Sequence, residues 1–344
     1  MIVVTGATGH IGNVLVKALV KRGEKVRAFV MPSESLTPLA GLDVEYFYGD
    51  VRDIKSLQEG FRDAKIVYHL AGIVSISKKS KNIFDVNVGG TQNVIKACLD
   101  CKVERLVYMS SIHAFVEPPK GVPITETKSF DPSRVVGEYA ESKAMATIAV
   151  LQSIDKGLDA VIVHPTGVIG PYEYKLSNIG QMIYNFMRGK IHFYINGAYD
   201  FVDVRDVVDG TILACEKGRR GENYILSGER ITVKRIFEIL AEVSGIKCPS
   251  VEIPIWIARS VAPIFELSHD LFKKSDQQTY TAYSIHTLLS NSLTSHEKAS
   301  KELGYLPRSI EISIKDTAKW ISDLKTSYSK HPAIHRKKMH YWPN

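Results

Sequence analysis

The sequence predicts an α/β protein built on a doubly wound parallel sheet, followed by a smaller C-terminal substrate-binding part. Three observations carry that reading. Short, nearly continuous apolar runs alternate with helical stretches through the first 165 residues. A glycine-rich turn, Gly6 to Gly12, stands between the first strand and the first helix. After Pro165 the rhythm breaks into irregular chain marked by Gly167, Gly170, Pro171, Tyr172 and Tyr174.

Strand-like runs rich in β-branched residues fall at 2–5, 25–30, 44–48, 66–69, 106–109 and 160–163. Helical spacing falls between several of them, at 11–21, 86–99 and 138–154. Strands that lack polar alternation are buried on both faces, as in a parallel sheet covered by helices. Right-handed crossovers between them then wind the sheet in both directions from its centre. Beyond residue 165 the spacing predicts helices at 179–187, 233–244, 295–303 and 312–324, with a strand at 224–227. Residues 245–292 give no readable period. The division that follows is a cofactor-binding domain at 1–165, a mainly substrate-binding part at 166–324 and a basic, disordered tail at 325–344. Some segments of the second part are expected to return to the sheet.

The chain has 344 residues, 44% of them hydrophobic and 24% charged, which excludes a disordered or disulfide-stapled protein. Its net charge of +7 invites a nucleic-acid reading. Five of those charges, Lys325, Lys330, Arg336, Lys337 and Lys338, sit in the acid-free tail, and subtracting them leaves only +2 for the body. No nucleic-acid partner is expected from that distribution. The opening MIVVTGATG is too short and too neutral for a secretory signal. The most apolar stretch, 253–267, contains Arg259, Glu266 and two prolines, and falls short of the ~20 residues of a membrane span. It reads as a buried or pocket-covering helix. Cys98 and Cys101 form a lone CxxC without a second pair, so no metal is expected, and four cysteines in this length suit a reducing cytoplasm.

The first strand runs directly into Gly6-Ala-Thr-Gly9-His-Ile-Gly12 and then into a helix. Gly6 permits the tight turn, Gly9 lets the backbone approach a pyrophosphate, and Gly12 allows the helix to pack closely on the sheet. The unsatisfied amides at that helix start favour an anion. Tyr139 and Lys143 lie four apart on a helical stretch and so project from one face. A nearby ammonium favours the phenolate over the phenol, which would bring a tyrosine of ordinary pKa ~10 towards useful values for proton transfer.

Taken in order, TGATGHIG, GDVRD, HLAG, NVGGTQNVI, MSSIHAF, YAESK, HPTGVIGP and FVDVRDV resemble the extended branch of the short-chain dehydrogenase/reductase superfamily, the NAD-dependent epimerase/dehydratase family. The resemblance implies a Rossmann domain that binds NAD or NADP. It implies that Gly6, Thr8, Gly9, His10, Ile11 and Gly12 surround the pyrophosphate, and that Asp50 and Val51 meet the adenine. Leu70, Ala71 and Gly72 would follow the ribose–pyrophosphate, Asn87 would brace the site, and Pro165 and Val168 would pack beside the nicotinamide. Lys143 would also hold the nicotinamide ribose. Tyr139 would move the proton, and Ser111 would bind the substrate oxygen. His113 lies close enough in sequence to line the pocket.

An NAD-type site usually carries an acid at the end of the second strand. Here that strand ends Val30-Met31-Pro32-Ser33, which favours NADP, with Ser33 as a candidate contact. Sugar-nucleotide members of the family show an asparagine near the HPTGVIGP segment and an arginine before the later aspartate. This chain has neither: Tyr199 precedes Asp200. It is instead similar to dihydroflavonol-reductase-like and 3β-hydroxysteroid-dehydrogenase-like members. Tyr172, Tyr174, Phe186, Met187, Phe193, Tyr194, Trp256 and Phe265 suggest an apolar pocket for a flat small molecule. The expected activity is interconversion of a ketone or aldehyde with an alcohol. The alternatives are an epimerase or dehydratase that retains its NAD, and a non-enzymatic NADP-sensing regulator. A homodimer through the helices bearing Asn87 and Tyr139 is a further expectation of the resemblance.

Overall fold

The computed structural model describes residues 1–74, 82–258 and 287–330, the last six as helix backbone. Its main sheet has seven strands: β1 (Ile2–Thr5), β2 (Val26–Val30), β3 (Glu45–Tyr48), β4 (Ile66–His69), β5 (Arg105–Met109), β6 (Ala160–Pro165) and one late strand, Asn223–Leu226. All neighbours are parallel, in the order β3-β2-β1-β4-β5-β6 with the late strand on the far edge, beside β6. The order reverses between β1 and β4, and the glycine turn lies at the carboxyl end of β1. In an open α/β sheet that switch point is where a ligand sits.

The two sides of the sheet are separate cores, and adjacent residues of one strand feed different ones. Val3, Leu106 and Tyr108 pack with α2 (Ile54–Gly60), α3 (Gly90–Asp100) and α4 (Glu138–Ile154). Ile2, Val4, Val107 and Met109 pack on the other side with α1 (His10–Lys21). A single turn of π-helix, Asp85–Gly89, leads into α3.

After β6 the chain leaves the sheet. A three-stranded sheet pairs β7 (Gly167–Ile169) parallel with β9 (Ala198–Asp203), and β9 antiparallel with β11 (Glu229–Thr232). Between them come α5 (Asn178–Phe186) and the short β8 (Phe193–Tyr194). The chain returns to the main sheet through α6 (Val204–Lys217) and the late strand, β10, before β11, α7 (Val233–Ser244) and β12 (Val251–Glu252). Strands β8 and β12 pair in parallel. The helices α8 (Glu297–Leu303) and α9 (Ile310–Lys330) close the described chain. Helices α5, α7 and α9 share a third core that includes Phe186, Phe237 and Ile314. Ion pairs hold α9 and the turn before it to the Rossmann layer: Asp203, the N-cap of α6, holds Arg205, which reaches Asp316 on α9, and Arg308 binds buried Asp206.

One expectation is corrected. The last helix does not stop at residue 324 but runs six residues into the stretch read as a disordered tail, to Lys330. The suspected apolar helix at 253–267 lies outside the described residues beyond Ala258, as does Phe265. Among the described residues no helix is long and apolar enough to cross a membrane, and no cluster of metal-binding side chains occurs.

Candidate active site

The glycine turn is built by contacts that exclude side chains. Gly6 has φ +68°, and a Cβ there would lie 2.7 Å from the Ala71 amide nitrogen. A Cβ on Gly12 would lie 2.1 Å from the Gly6 carbonyl oxygen, so α1 approaches β1 as closely as backbone allows. Gly9 is the N-cap of α1 and supplies no side-chain cap, leaving first-turn amides directed at the turn. This cradle fits a dinucleotide pyrophosphate. Thr8 and Ile11 flank it.

The turn is fastened from a distant segment. Buried Asn13 donates from Nδ2 to the carbonyls of Gly9, His10 and Tyr172, at 2.8, 3.0 and 3.1 Å. His10 donates from Nε2 to the Pro171 carbonyl at 3.0 Å, with its Nδ1 3.8 Å from the buried carboxylate of Glu173. Tyr172 holds a left-handed φ of +71°, unusual for a side-chain-bearing residue.

At the end of β2, Met31 and Ser33 are exposed. Arg27 points away, committed to Glu45 and to the carbonyls of Gly60 and Arg62. Asp50 lies past β3, where Arg52 grips it at 2.6 Å and holds its carboxyl below the usual range. Val51 is buried, and its carbonyl accepts from Asn93 at 3.1 Å. Neighbouring His69, at the end of β4, is clamped between the Thr5 and Thr91 hydroxyls, and burial pulls it down to about 3, so it is neutral.

Beyond β4, Leu70 and Ala71 lead to Gly72, where a Cβ would lie 3.1 Å from Asn87 Oδ1 and 3.5 Å from Lys143 Nζ. Asn87 accepts from the Ile73 amide at 2.7 Å and donates to its carbonyl and to Ser142 Oγ, each at 3.0 Å. Ser142 in turn donates to the Tyr139 carbonyl at 2.8 Å. One buried amide therefore joins the loop after β4 to the helix that carries Tyr139 and Lys143.

Ser111, Tyr139 and Lys143 converge at the carboxyl end of β5, and all three are buried. Ser110 is committed elsewhere: its hydroxyl meets Thr147 Oγ1 at 2.7 Å, which leaves Ser111 as the free choice of the pair. Burial raises the Tyr139 phenol, and the Ser111 hydroxyl beside it works the other way by favouring the phenolate. Lys143 donates to the Met109 carbonyl at 2.8 Å, its one hydrogen bond among the described residues, and burial pulls its amine down to about 8. Its remaining N–H groups fit ribose hydroxyls. Pro165 ends β6 and Val168 lies in β7, on the same end of the sheet.

A cavity opens beside this group. Its wall includes Ile112, His113, Phe115, Ala140, Thr166 and Tyr199, with Arg134, Val135 and Val136 also facing it. His113 stacks on Tyr199 at 6.1 Å, its Nε2 lies 3.1 Å from the Tyr199 hydroxyl, and its ring stands edge-on to Tyr139 at 6.0 Å. The aromatics expected to line a pocket are elsewhere. Phe186 and Tyr194 are core residues, Met187 packs against that core, Tyr172 and Tyr174 lie over Lys17, and Phe193 and Trp256 are on the surface. Asp200 is structural: it accepts from Thr166 Oγ1 at 2.6 Å and from the Gly228 amide at 3.0 Å. Ser142 and His164 were missed by sequence reasoning. For His164 the available signal was a histidine inside the apolar run of β6.

Comparison with known proteins agrees with this geometry. The family described as NAD dependent epimerase/dehydratase matches residues 2–227. Sterol demethylase protein B of Methylococcus capsulatus is 35% identical over 321 residues, covering 93% of this chain and 98% of that protein. A 4-hydroxy-2-methyl-3-oxo-4-farnesyl-3,4-dihydroquinoline-1-oxide ketoreductase of Stigmatella aurantiaca is 27% identical, covering 89% and 91%. Among solved structures, that of gox2253 superposes with a TM-score of 0.82 at 32% identity, covering 94% of this chain and 98% of that one.

Proposed function

Because the chain belongs to the NAD-dependent epimerase/dehydratase family, we propose that it is an oxidoreductase interconverting a ketone or aldehyde with an alcohol on a largely apolar small molecule. The observation that carries this reading is the convergence of Ser111, Tyr139 and Lys143 beside the glycine cradle and next to a cavity. When bound, the nicotinamide supplies the place to which hydride goes or from which it comes. The rest is done by this chain. Ser111 donates to the substrate oxygen and stabilises charge that builds there. Tyr139 gives its phenolic proton to that oxygen in reduction and takes it back in oxidation. Lys143 positions the ribose and keeps positive charge near the phenol. Burial of all three excludes water and strengthens each interaction.

The substrate class is supported by three features: Tyr199 where nucleotide-sugar members carry arginine, the apolar side chains of Ile112, Phe115, Val135 and Val136 in a wall that also holds Glu117, Arg134 and Asn291, and relatives named for a sterol and for a farnesylated ketone. Sterol-like or flavonoid-like rings suit that wall. We infer that NADP is accepted as well as NAD. Neither an acid to repel a 2′-phosphate nor a free arginine to bind it stands at the end of β2, since Arg27 is committed to Glu45. The test is absorbance at the reduced nicotinamide band, with NADH and NADPH, against a 3-ketosteroid, a flavanonol and a simple aldehyde. Net oxidation with one of the ring substrates supports the reading. Product formation without net cofactor turnover would replace it with an internal epimerase or dehydratase cycle.

A further inference from the structure

We propose that His164 is a positioning residue: a buried imidazole that holds the backbone carbonyl of Ser111, and through it the place of the Ser111 hydroxyl beside Tyr139. The inference rests on the catalytic reading above. His164 lies in β6 and is fully buried. Its Nδ1 is 3.2 Å from the Ser111 carbonyl oxygen. A carbonyl only accepts, so Nδ1 carries the proton and donates.

The rest of the ring fixes that arrangement. Phe115 meets it edge-on at 4.6 Å and Phe130 stacks against it at 5.7 Å. Burial pulls the imidazole down to about 3, so the second nitrogen, Nε2, is an unprotonated acceptor. Among the described residues it has no hydrogen-bond partner. A buried polar atom without a partner is costly, and an apolar residue among these rings would avoid that cost. What the histidine adds over such a residue is one donor, aimed at the carbonyl of Ser111.

That carbonyl has two donors, the Ala114 amide at 3.1 Å within the turn and His164 Nδ1 from β6. Ser111 follows the end of β5 in extended backbone and caps a three-residue turn, where its hydroxyl accepts from the His113 amide at 3.2 Å. The hydroxyl is thus shared between the turn and Tyr139. The Ala114 bond only closes the turn on itself, so a shift of the whole turn would carry Ser111 away from the phenol without breaking it. His164 resists that shift by tying the carbonyl to β6.

The test places the donor differently in variants of similar polarity. In His164→Asn the amide nitrogen takes the place of Nδ1; in His164→Gln it takes the place of Nε2, where no acceptor waits. His164→Phe removes the donor altogether and keeps the aromatic packing. Each is prepared with NAD bound and with tyrosines labelled at the ring carbon bearing oxygen. The Tyr139 resonance is assigned by its loss in Tyr139→Phe. Ser111→Ala supplies the reference shift for a phenol that has lost its serine partner. His164→Asn is expected to keep the wild-type Tyr139 shift, and His164→Gln and His164→Phe to move it to the Ser111→Ala value. Equal shifts in the Asn and Gln variants, or a wild-type shift in the Phe variant, overturn the proposal. Because this readout needs no substrate, it stands apart from the turnover screen. A failed screen with the expected shifts refutes the function alone, and turnover with unmoved shifts refutes His164 alone.

Discussion

The Lys143 ammonium donates to the Met109 carbonyl across 2.8 Å, from the middle of the fourth helix to the last residue of the fifth strand. This bond anchors the helix of Tyr139 on the sheet and leaves a buried amine with donors to spare. Its amine, near 8, lies below the ordinary lysine value because burial disfavours the charged form. Cofactor hydroxyls favour the ammonium, so binding raises that value again. The sign follows: affinity for NAD should be flat below pH 8 and fall as pH rises above it, where the free protein has already lost the proton. Fluorescence titration with NADH from pH 6 to 10 measures this. In Lys143→Met the fall should vanish and affinity should be low throughout.

Removing the phenolic hydroxyl in Tyr139→Phe should lower turnover by about 10²–10⁴-fold while NADH affinity changes little. Stopped-flow and binding measurements on the same preparation separate the two. Full activity in this variant would refute the mechanism.

Gly12→Ala pushes a methyl group to within 2.1 Å of the Gly6 carbonyl oxygen. Neither backbone can yield without moving the first helix off the sheet. Overpacking of ~1–3 kcal/mol, concentrated at the cofactor cradle, should weaken NADH binding by about tenfold or more. Isothermal titration would read it.

Asn87 satisfies both backbone groups of Ile73 and the Ser142 hydroxyl. Asn87→Ala leaves these groups unpaired, and the loss should be about 2–3 kcal/mol in chemical unfolding. NADH affinity should drop as well, because the loop carrying Gly72 loses its tie to the helix of Tyr139 and Lys143.

Ser33→Asp would place at the end of the second strand the acid that this chain lacks. A carboxylate there accepts from a ribose 2′-hydroxyl and repels a 2′-phosphate. The ratio of NAD to NADP affinity should rise by about tenfold or more, with little change for NAD itself. An unchanged ratio would move the 2′ position away from Ser33.

Much of the cofactor half was legible because its signals are local. The helices at Glu138–Ile154 and Val233–Ser244 were readable to the residue from spacing alone, and the strand–glycine–helix unit announces itself in a dozen residues. The second half was less legible. Strands of two residues such as Phe193–Tyr194 have no period to detect, and the π-turn at Asp85–Gly89 looks helical in any pattern. The aromatic residues misled, because composition does not say which face a side chain takes: Phe186 stacks on Phe237 in the core rather than lining a cavity. His164 escaped notice since its partner is the backbone of Ser111, 53 positions earlier. An acceptor without side-chain identity leaves no trace in sequence.

The ties from His10 and Asn13 to Pro171 and Tyr172 span about 160 positions. On the ribosome, the turn at residues 6–12 emerges long before the carbonyls that fasten it. A nascent chain that ends before Pro171 therefore has the glycine signature without its anchor. The turn gains its anchor only when about half of the chain has been made.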